Sequence, residues 1–172
     1  MGKNPYLSQF QLRVSGQLSL YSVPMSVVSH LQWQVESFVT LAAPWHWQPQ
    51  SLIPKSQRAE LPFRATIDNL PQLVSALFEF PNIYAEIIRD PIANGLAERW
   101  LITPNLGLKR VEINEIGDVV LDENQLRSAM QAEGGDLASQ ISWLLADAWD
   151  TELEPLRQSA GESNTRLLAT GG

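Results

Sequence analysis

An alternation of apolar and polar side chains opens the chain between residues 10 and 20, and Pro24 closes it. A repeat of two residues places alternate side chains on opposite faces of a strand, so this segment predicts a half-buried strand. Ser26 stands where a helix cap is expected, ahead of apolar side chains at 3.6-residue spacing. The pattern predicts a helix that ends before Pro44.

Two strands, a second helix and a further strand are predicted next. Residues 45–48 and 58–66 favour strands, and Asp68 is placed to cap a helix that stops at Pro81. The β-branched run 83–88 is typical of a strand. The order β-α-β-β-α-β is that of the ferredoxin-like plait, in which an antiparallel four-stranded sheet carries both helices on one face.

The chain then predicts a β-hairpin. Strands at 99–103 and 108–113 flank residues 104–107, where proline and glycine suit the positions of a turn. A short strand is expected at 119–121, after the turn at Gly117 and Asp118. The hairpin extends the predicted sheet.

Two C-terminal helices are predicted from acidic residues at their starts. Asp122 with Gln125 has the spacing of a capping box, and this helix is expected to end at Gly134. Asp136 caps the last clear helix, whose apolar face runs to Ala148.

The predicted fold class is therefore α+β: a ferredoxin-like βαββαβ plait with a β-hairpin extension and C-terminal helices. A length of 172 residues suits one domain. We predict a flexible N-terminus at 1–9, a single α+β domain at 10–157 and a partly ordered C-terminal tail at 158–172.

Charge restricts the partners. The net charge is −7, and the acids concentrate between Glu115 and Glu162. Negative charge repels phosphate backbones and anionic lipid heads, so we expect neither nucleic acid nor a membrane as partner. No run of 18 apolar residues exists, and we expect a cytoplasmic protein. The acidic half is either a solvated face or a patch for a protein partner with a basic surface, and a homo-oligomer stays open.

The residues that usually carry catalysis are scarce. The chain has no cysteine and two histidines, which excludes a thiol nucleophile and a thiolate-bound metal. It has no nucleophile elbow, phosphate-binding loop or zinc-protease motif. We therefore expect no catalytic residue, no metal and no cofactor.

Aromatic residues form the first candidate site. His30 and Trp33 are three positions apart on a predicted helix and so share a face. Trp45 and Trp47 flank His46 in a predicted strand, so both indoles lie on one face. The four candidate residues are His30, Trp33, Trp45 and Trp47. They either belong to the core or form a face for a ligand or partner.

Charged residues around a tryptophan form the second candidate site. Asp150 and Glu154 are four positions apart and could act as an acid–base pair if a helix continued there. Exposed acids near a helix end, or a segment that fastens the C-terminal region, are the alternatives. The candidate interaction residues are Asp147, Trp149, Asp150, Glu152, Glu154 and Arg157.

Residues 149–157 also carry a family resemblance. Their sequence W-D-T-E-L-E-P-L-R resembles the C-terminal signature of the actinobacterial domain of unknown function 3145 family. His30 to Trp33 is similar to the H-x-x-W helix of that family, and residues 47–50 and 103–107 match in the same order. The resemblance implies an actinobacterial, cytoplasmic protein with a link to fatty-acid metabolism, and it implies no particular reaction.

A non-catalytic protein-interaction or regulatory module is the function that these observations favour. Two alternatives stay open. One is a metabolite sensor that binds between the sheet and the His30–Trp33 helix or at a dimer interface. The other is an enzyme that uses Asp150, Glu152 or Glu154, which requires a cleft with a perturbed carboxyl group.

Overall fold

The computed structural model describes residues 11–93 and 95–169, with side chains up to residue 159. The predicted flexible segment 1–9 lies outside the described residues. Within the described ranges, the chain forms one antiparallel sheet of seven strands together with five helices, so the mixed α and β character is confirmed. The strands are β1 Arg13–Pro24, β2 Thr40–Leu41, β3 Gln48–Pro49, β4 Ser56–Thr66, β5 Tyr84–Arg89, β6 Ala97–Thr103 and β7 Gly107–Ile113.

The helices begin where the sequence supplies a cap or an apolar stripe. The Asp122 side chain accepts from the Gln125 amide while the Gln125 side chain accepts from the Asp122 amide, so the predicted capping box is confirmed. Asp136 caps the following helix through the amide of Ser139. The helices are α1 Val28–Phe38, α2 Asn69–Phe78, α3 Glu123–Gln131, α4 Leu137–Leu144 and α5 Asp147–Ala169.

The sheet has the strand order β2-β4-β1-β5-β6-β7, and β3 also pairs with β4. Every named strand pair is antiparallel. The long strand β1 lies in the middle, so that Ser19 faces Glu60 of β4 on one side and Glu86 of β5 on the other. Residues directly opposite each other project from the same face, and this register therefore gathers polar side chains on one face.

Helices α1 and α2 cover the first face of the sheet. Leu31 and Val35 of α1 and Leu73 and Leu77 of α2 are fully buried in one apolar cluster with β1 and β5. Phe63 of β4 belongs to the same cluster. These core side chains fill the space between the sheet and α1, which is one of the two places where the sensor alternative would bind a metabolite.

Helix α5 covers the second face. Leu153 and Leu156 belong to a second buried cluster together with Tyr21 and Leu101 of the sheet. The helix crosses the strands and reaches β4, where Arg58 Nη1 donates to the Leu156 carbonyl at 2.8 Å. The domain thus has three layers, with the sheet between two sets of helices.

Three local predictions are wrong or displaced. Ser26 is not a helix cap, because it lies in the 3-10 turn Met25–Val27 and α1 begins without a side-chain cap. The strand predicted at 45–48 is displaced to β2 and β3, and residues 42–47 form a loop that contains Pro44, which cannot donate to a ladder. The strand predicted at 119–121 is a single bridge between Ile113 and Val119.

The predicted last helix is two helices. Ala146 has a φ of 64° and turns the chain between α4 and α5, so that Asp147 begins a new helix. A left-handed alanine costs about 1–2 kcal/mol, and the complete burial of Ala146 in the second cluster offsets that cost. Helix α5 also continues through Pro155, where local propensity alone would end it.

Candidate interaction surface

The aromatic candidates come together along the outer side of α1. His30 lies next to two rings, with centroid distances of 6.2 Å to Trp33 and 5.3 Å to Phe80, the second in an edge-to-face arrangement. The Trp45 and Trp47 rings are stacked 5.1 Å apart with an angle of 3° between their planes. We call these five residues the aromatic surface.

Glu36 joins the two halves of the aromatic surface. It lies one helical turn after Trp33 on α1, and its carboxylate accepts a hydrogen bond from Trp45 Nε1 at 2.7 Å. Trp45 and Trp47 are half-buried and contact the first apolar cluster, so the loop that carries them is anchored to the core. Contacts with the core and with Glu36 therefore hold this part of the aromatic surface in place.

Trp33 is an exposed member of the aromatic surface. Its side chain is 65% exposed, and its indole N–H makes no hydrogen bond within the described part of the chain. On the opposite, sheet-facing side of α1, Leu31 and Val35 are fully buried. An indole in this position adds no hydrogen bond to the fold and presents a large apolar face to solvent.

The charged side chains of the segments that carry the aromatic surface have one sign. The two segments that build the helical layer, 25–54 and 65–88, contain no lysine or arginine. Their acidic residues are Glu36, Asp68, Glu79 and Glu86, and Glu86 projects from the opposite face of the sheet. The segments that carry the aromatic surface thus supply indole faces and carboxylates, and they supply no cation.

The second candidate site, residues 149–157, is an internal fastening. Trp149 and Leu153 are buried, and Trp149 Nε1 donates to the carbonyl of Gly107 at 3.0 Å. We call residues 149–157 the signature segment. Its apolar side chains hold the first turns of α5 to the β6–β7 hairpin and to the second face of the sheet.

Two arginines and two acids close an ion-pair ring between α5 and the sheet. Arg99 Nη2 contacts Glu86 Oε2 at 2.9 Å and also bonds Asp150 Oδ1. Arg157 Nη2 contacts Asp150 Oδ1 at 2.8 Å and also bonds Glu86 Oε2. Within the ring each acid contacts both arginines and each arginine contacts both acids, so the charges of these four residues balance.

Burial and pairing act in opposite directions on the arginines of this ring. Desolvation lowers the pKa of Arg157, but the carboxylates of Glu86 and Asp150 outweigh it and raise the pKa above its ordinary value. The same balance raises the pKa of Arg99. Burial, followed by the charge of Glu86, raises the pKa of the nearby Tyr21 hydroxyl. Both guanidinium groups remain charged, so removal of one member of the ring would leave a buried charge with fewer partners.

The remaining acids of the segment have local partners. Asp147 lies in the first turn of α5 and accepts from Ser142 Oγ at 2.7 Å, so the helix dipole stabilises it. This corrects our expectation that these acids lie near a helix end, since a helix begins there. Glu152 accepts a 3.4 Å bond from Asn105, and Glu154 pairs with Arg157 at 3.2 Å.

The sequence did not point to the sheet residues that complete these contacts. Glu86 is a single acid in the otherwise apolar start of β5, and Arg58 binds α5 through the Ser159 hydroxyl at 3.0 Å. Gln50 donates to the Tyr21 carbonyl at 2.7 Å and accepts from Ser159. A charged residue at a face position of an apolar strand is the signal that could have identified Glu86.

No group of three or more histidine or acidic side chains in the described ranges could hold a metal ion. No helix in the part of the chain that the structure describes has both the length and the apolar character needed to cross a bilayer.

Comparison with known proteins identifies one family. The chain matches the family described as "Protein of unknown function (DUF3145)" over residues 18–170. No curated protein and no solved structure matches the chain. The match begins within β1 and covers the remaining strands, the five helices of the described residues, the aromatic surface and the signature segment. The chain therefore belongs to the DUF3145 family of proteins of unknown function.

Proposed function

We propose that this protein is a non-catalytic interaction module that binds a basic segment of a protein partner at the aromatic surface. The observation that carries the proposal is Trp33, which is 65% exposed in a cluster of rings whose segments contain acids and no cations. Tryptophan is enriched among the residues that contribute most to protein interfaces. Lysine and arginine bind indole faces by cation–π attraction of about 0.5–2 kcal/mol.

The signature segment is a weaker candidate for recognition. Trp149 is buried, and Asp150 and Arg157 satisfy each other and the sheet. A partner could reach these groups only by displacing α5 from the sheet. Glu154 is exposed, but a single exposed ion pair contributes about 0–1 kcal/mol and offers little specificity.

The same contacts argue against an acid–base role for the signature carboxylates. Asp150 is held between Arg99 and Arg157, and Glu154 is paired with Arg157. A catalytic dyad needs two carboxyl groups whose environments differ, and here one arginine binds both. A regulatory, cytoplasmic role linked to fatty-acid metabolism remains part of the proposal and rests on the family resemblance alone.

We also assign the ferredoxin-like plait to residues 13–89. The strand order β2-β4-β1-β5, with α1 after β1 and α2 after β4, agrees with the split βαβ arrangement. Both helices lie on one face of this sheet. Because α5 occupies the second face, the helical layer is the side of the plait that stays open to a partner.

The binding proposal is tested with a defined basic probe. A twelve-residue peptide of alternating arginine and leucine is titrated into protein labelled with ¹⁵N, and the tryptophan Nε1 signals are followed by NMR. We expect the Trp33 and Trp45 signals to shift and the Trp149 signal to stay in place. The Trp33→Ala variant should bind at least about tenfold more weakly, since an interface tryptophan contributes 2 kcal/mol or more.

Three controls separate recognition from general charge attraction. A peptide with glutamine in place of arginine should not bind. The Trp143→Ala variant removes an indole that is 57% exposed on the other side of the sheet, and it should bind as the wild type does. If Trp33→Ala binds as tightly as wild type while Glu154→Gln weakens binding, the acidic C-terminal half is the binding site and the proposal is wrong.

A further inference from the structure

Arginine side chains in the described ranges divide into two groups. Six pair with a carboxylate: Arg58, Arg89, Arg99, Arg110, Arg127 and Arg157. Arg13 and Arg64 form no ion pair or hydrogen bond with any described residue. Both of these arginines line the same cavity, which has a volume of about 590 Å³. In a chain of net charge −7, two uncompensated cations in one cavity require an explanation.

The sheet register places the polar lining of this cavity on one face. Arg64 of β4 lies directly opposite Ser15 of β1 on one side and opposite Thr40 of β2 on the other. Arg13 lies opposite Thr66. Direct partners project from the same face, and Arg13 is the diagonal neighbour of Arg64 at about 7–8 Å. Two guanidinium groups on long side chains at this separation can bind one anion together.

The cavity lies away from the region that α5 covers. The described side chains of α5 reach β4 at Arg58, six residues from Arg64, which is about 20 Å along a strand. Asp90 is the nearest acid in the register, and it is bonded by the Ser15 hydroxyl. Because Ser15 lines the cavity, this carboxylate borders it on the β5 side. The lining residues themselves include two arginines and two threonines and no acid.

We infer that this cavity binds the phosphate group of a small soluble molecule. Arginine presents a planar fork of donors that matches phosphate oxygens, and two forks can neutralise a dianion. The Thr40 and Thr66 hydroxyls supply further donors at the same site. A cavity of this volume accommodates a molecule of metabolite size. The site is separate from the aromatic surface and does not depend on the proposed interaction function.

Isothermal titration calorimetry of the full chain with pyrophosphate tests the inference. We expect saturable binding at one site per chain, weakened as ionic strength rises. Arg64→Ala and Arg13→Ala should each weaken binding about tenfold, because a hydrogen bond to a charged group typically changes affinity by about that factor. Arg64→Lys keeps the charge and loses the fork, so it should bind between wild type and Arg64→Ala.

Arg127→Ala is the matched control, since Arg127 is exposed and paired with Glu123 on α3. It removes one positive charge, as Arg13→Ala and Arg64→Ala do, and it should leave pyrophosphate affinity unchanged. A thermal unfolding curve of each variant checks that the exposed Arg13 and Arg64 positions leave the fold intact. Binding of citrate and of phosphatidylglycerol vesicles is measured in parallel. Citrate tests for a carboxylate ligand, and the vesicles test for a lipid headgroup.

The inference is wrong if wild type shows no saturable binding of pyrophosphate at low salt, or if the Arg13 and Arg64 variants bind as it does. Equal loss in Arg127→Ala would show general charge attraction and would also overturn it. Tighter binding of citrate would indicate a carboxylate site instead. If the protein sediments with the vesicles but does not bind pyrophosphate, the arginines bind a lipid headgroup. That result would contradict a soluble ligand.

Discussion

The aromatic surface and the signature segment have similar compositions and opposite placements. Each contains a tryptophan beside a carboxylate, Trp33 near Glu36 and Trp149 beside Asp150. Trp149 is buried and hydrogen-bonded to Gly107, whereas Trp33 is exposed and its indole makes no such bond. The signature segment, which is the more distinctive sequence motif, therefore stabilises the fold. The aromatic surface, whose sequence is less distinctive, is the one exposed to solvent.

The physical origin of this difference is the number of layers. Helices α1 and α2 cover only one face of the sheet, and α5 covers the other with a helix that carries both apolar and charged residues. Charges that leave water must be paired, so Asp150 and Arg157 meet Glu86 and Arg99 of the sheet. Nothing in the described chain covers α1 in the same way, and Trp33 stays in solvent.

Removal of the Trp149 indole should produce the largest effect. Trp149→Ala deletes a buried ring, and substitutions of this kind cost about 3–5 kcal/mol. We expect the free energy of unfolding in urea to fall by that amount. Trp149→Phe keeps an aromatic ring and loses the bond to Gly107, so it should cost less. An unchanged stability in Trp149→Ala would show that the signature segment is not a fastening.

Breaking the ion-pair ring should have the next largest effect. Arg99→Met leaves Glu86 buried with Arg157 as its remaining cation, and we expect a loss of about 3 kcal/mol, the low end for a broken buried pair. Arg127→Met on α3 removes an exposed pair and should cost less than about 1 kcal/mol. Equal losses in urea unfolding would mean that the ring is no more important than a surface pair.

Tyr21 adds a dependence on pH to the same region. Burial and Glu86 raise the pKa of its hydroxyl above the ordinary value of 10.0. Above that pH the unfolded chain loses the tyrosine proton while the folded protein keeps it, so the free energy of unfolding falls as pH rises. Wild type should lose more stability than Tyr21→Phe between pH 9 and 11. Parallel curves for the two proteins would contradict a buried Tyr21 hydroxyl.

Trp33→Ala should change stability least. An exposed side chain without a hydrogen bond contributes within about 0.5 kcal/mol, so the urea midpoint should stay close to that of wild type. The same variant is expected to lose binding of the basic peptide, which sharpens the contrast with Trp149→Ala. A loss of stability as large as that of Trp149→Ala would place Trp33 in the core and remove the difference between the two regions.

Much of the fold could be predicted from local pattern. Strands β4, β5, β6 and β7, the capping box at Asp122 and the cap at Asp136 agree with the structure to within a few residues. Each depends on side chains within about eight positions of one another. The strand predicted at 45–48 is displaced, because pairing with β4 is made by residues 40–41 and 48–49 while Trp45 and Trp47 pack on the core from the loop between them.

The candidate sites could be predicted only as sets of residues. The sequence placed His30 and Trp33 on one helix face and brought the indoles of Trp45 and Trp47 together, and the rings do lie together. It did not say which of the two sets faces solvent. The cavity at Arg13 and Arg64 was missed because those residues are 51 positions apart, and only the register of β1 on β4 makes them neighbours.

The sequence by itself determined most of the elements, the family and the acidity of the C-terminal half. These follow from spacing along the chain, since helix and strand periodicity and caps are local. Only the tertiary structure decided that α5 begins at Asp147, continues through Pro155 and neutralises its acids internally. The partners of Asp150 and Arg157 lie 51 and 71 positions away, at Arg99 and Glu86. Burial on both sides of Pro155, at Leu153 and Leu156, outweighs the local preference of proline to end a helix.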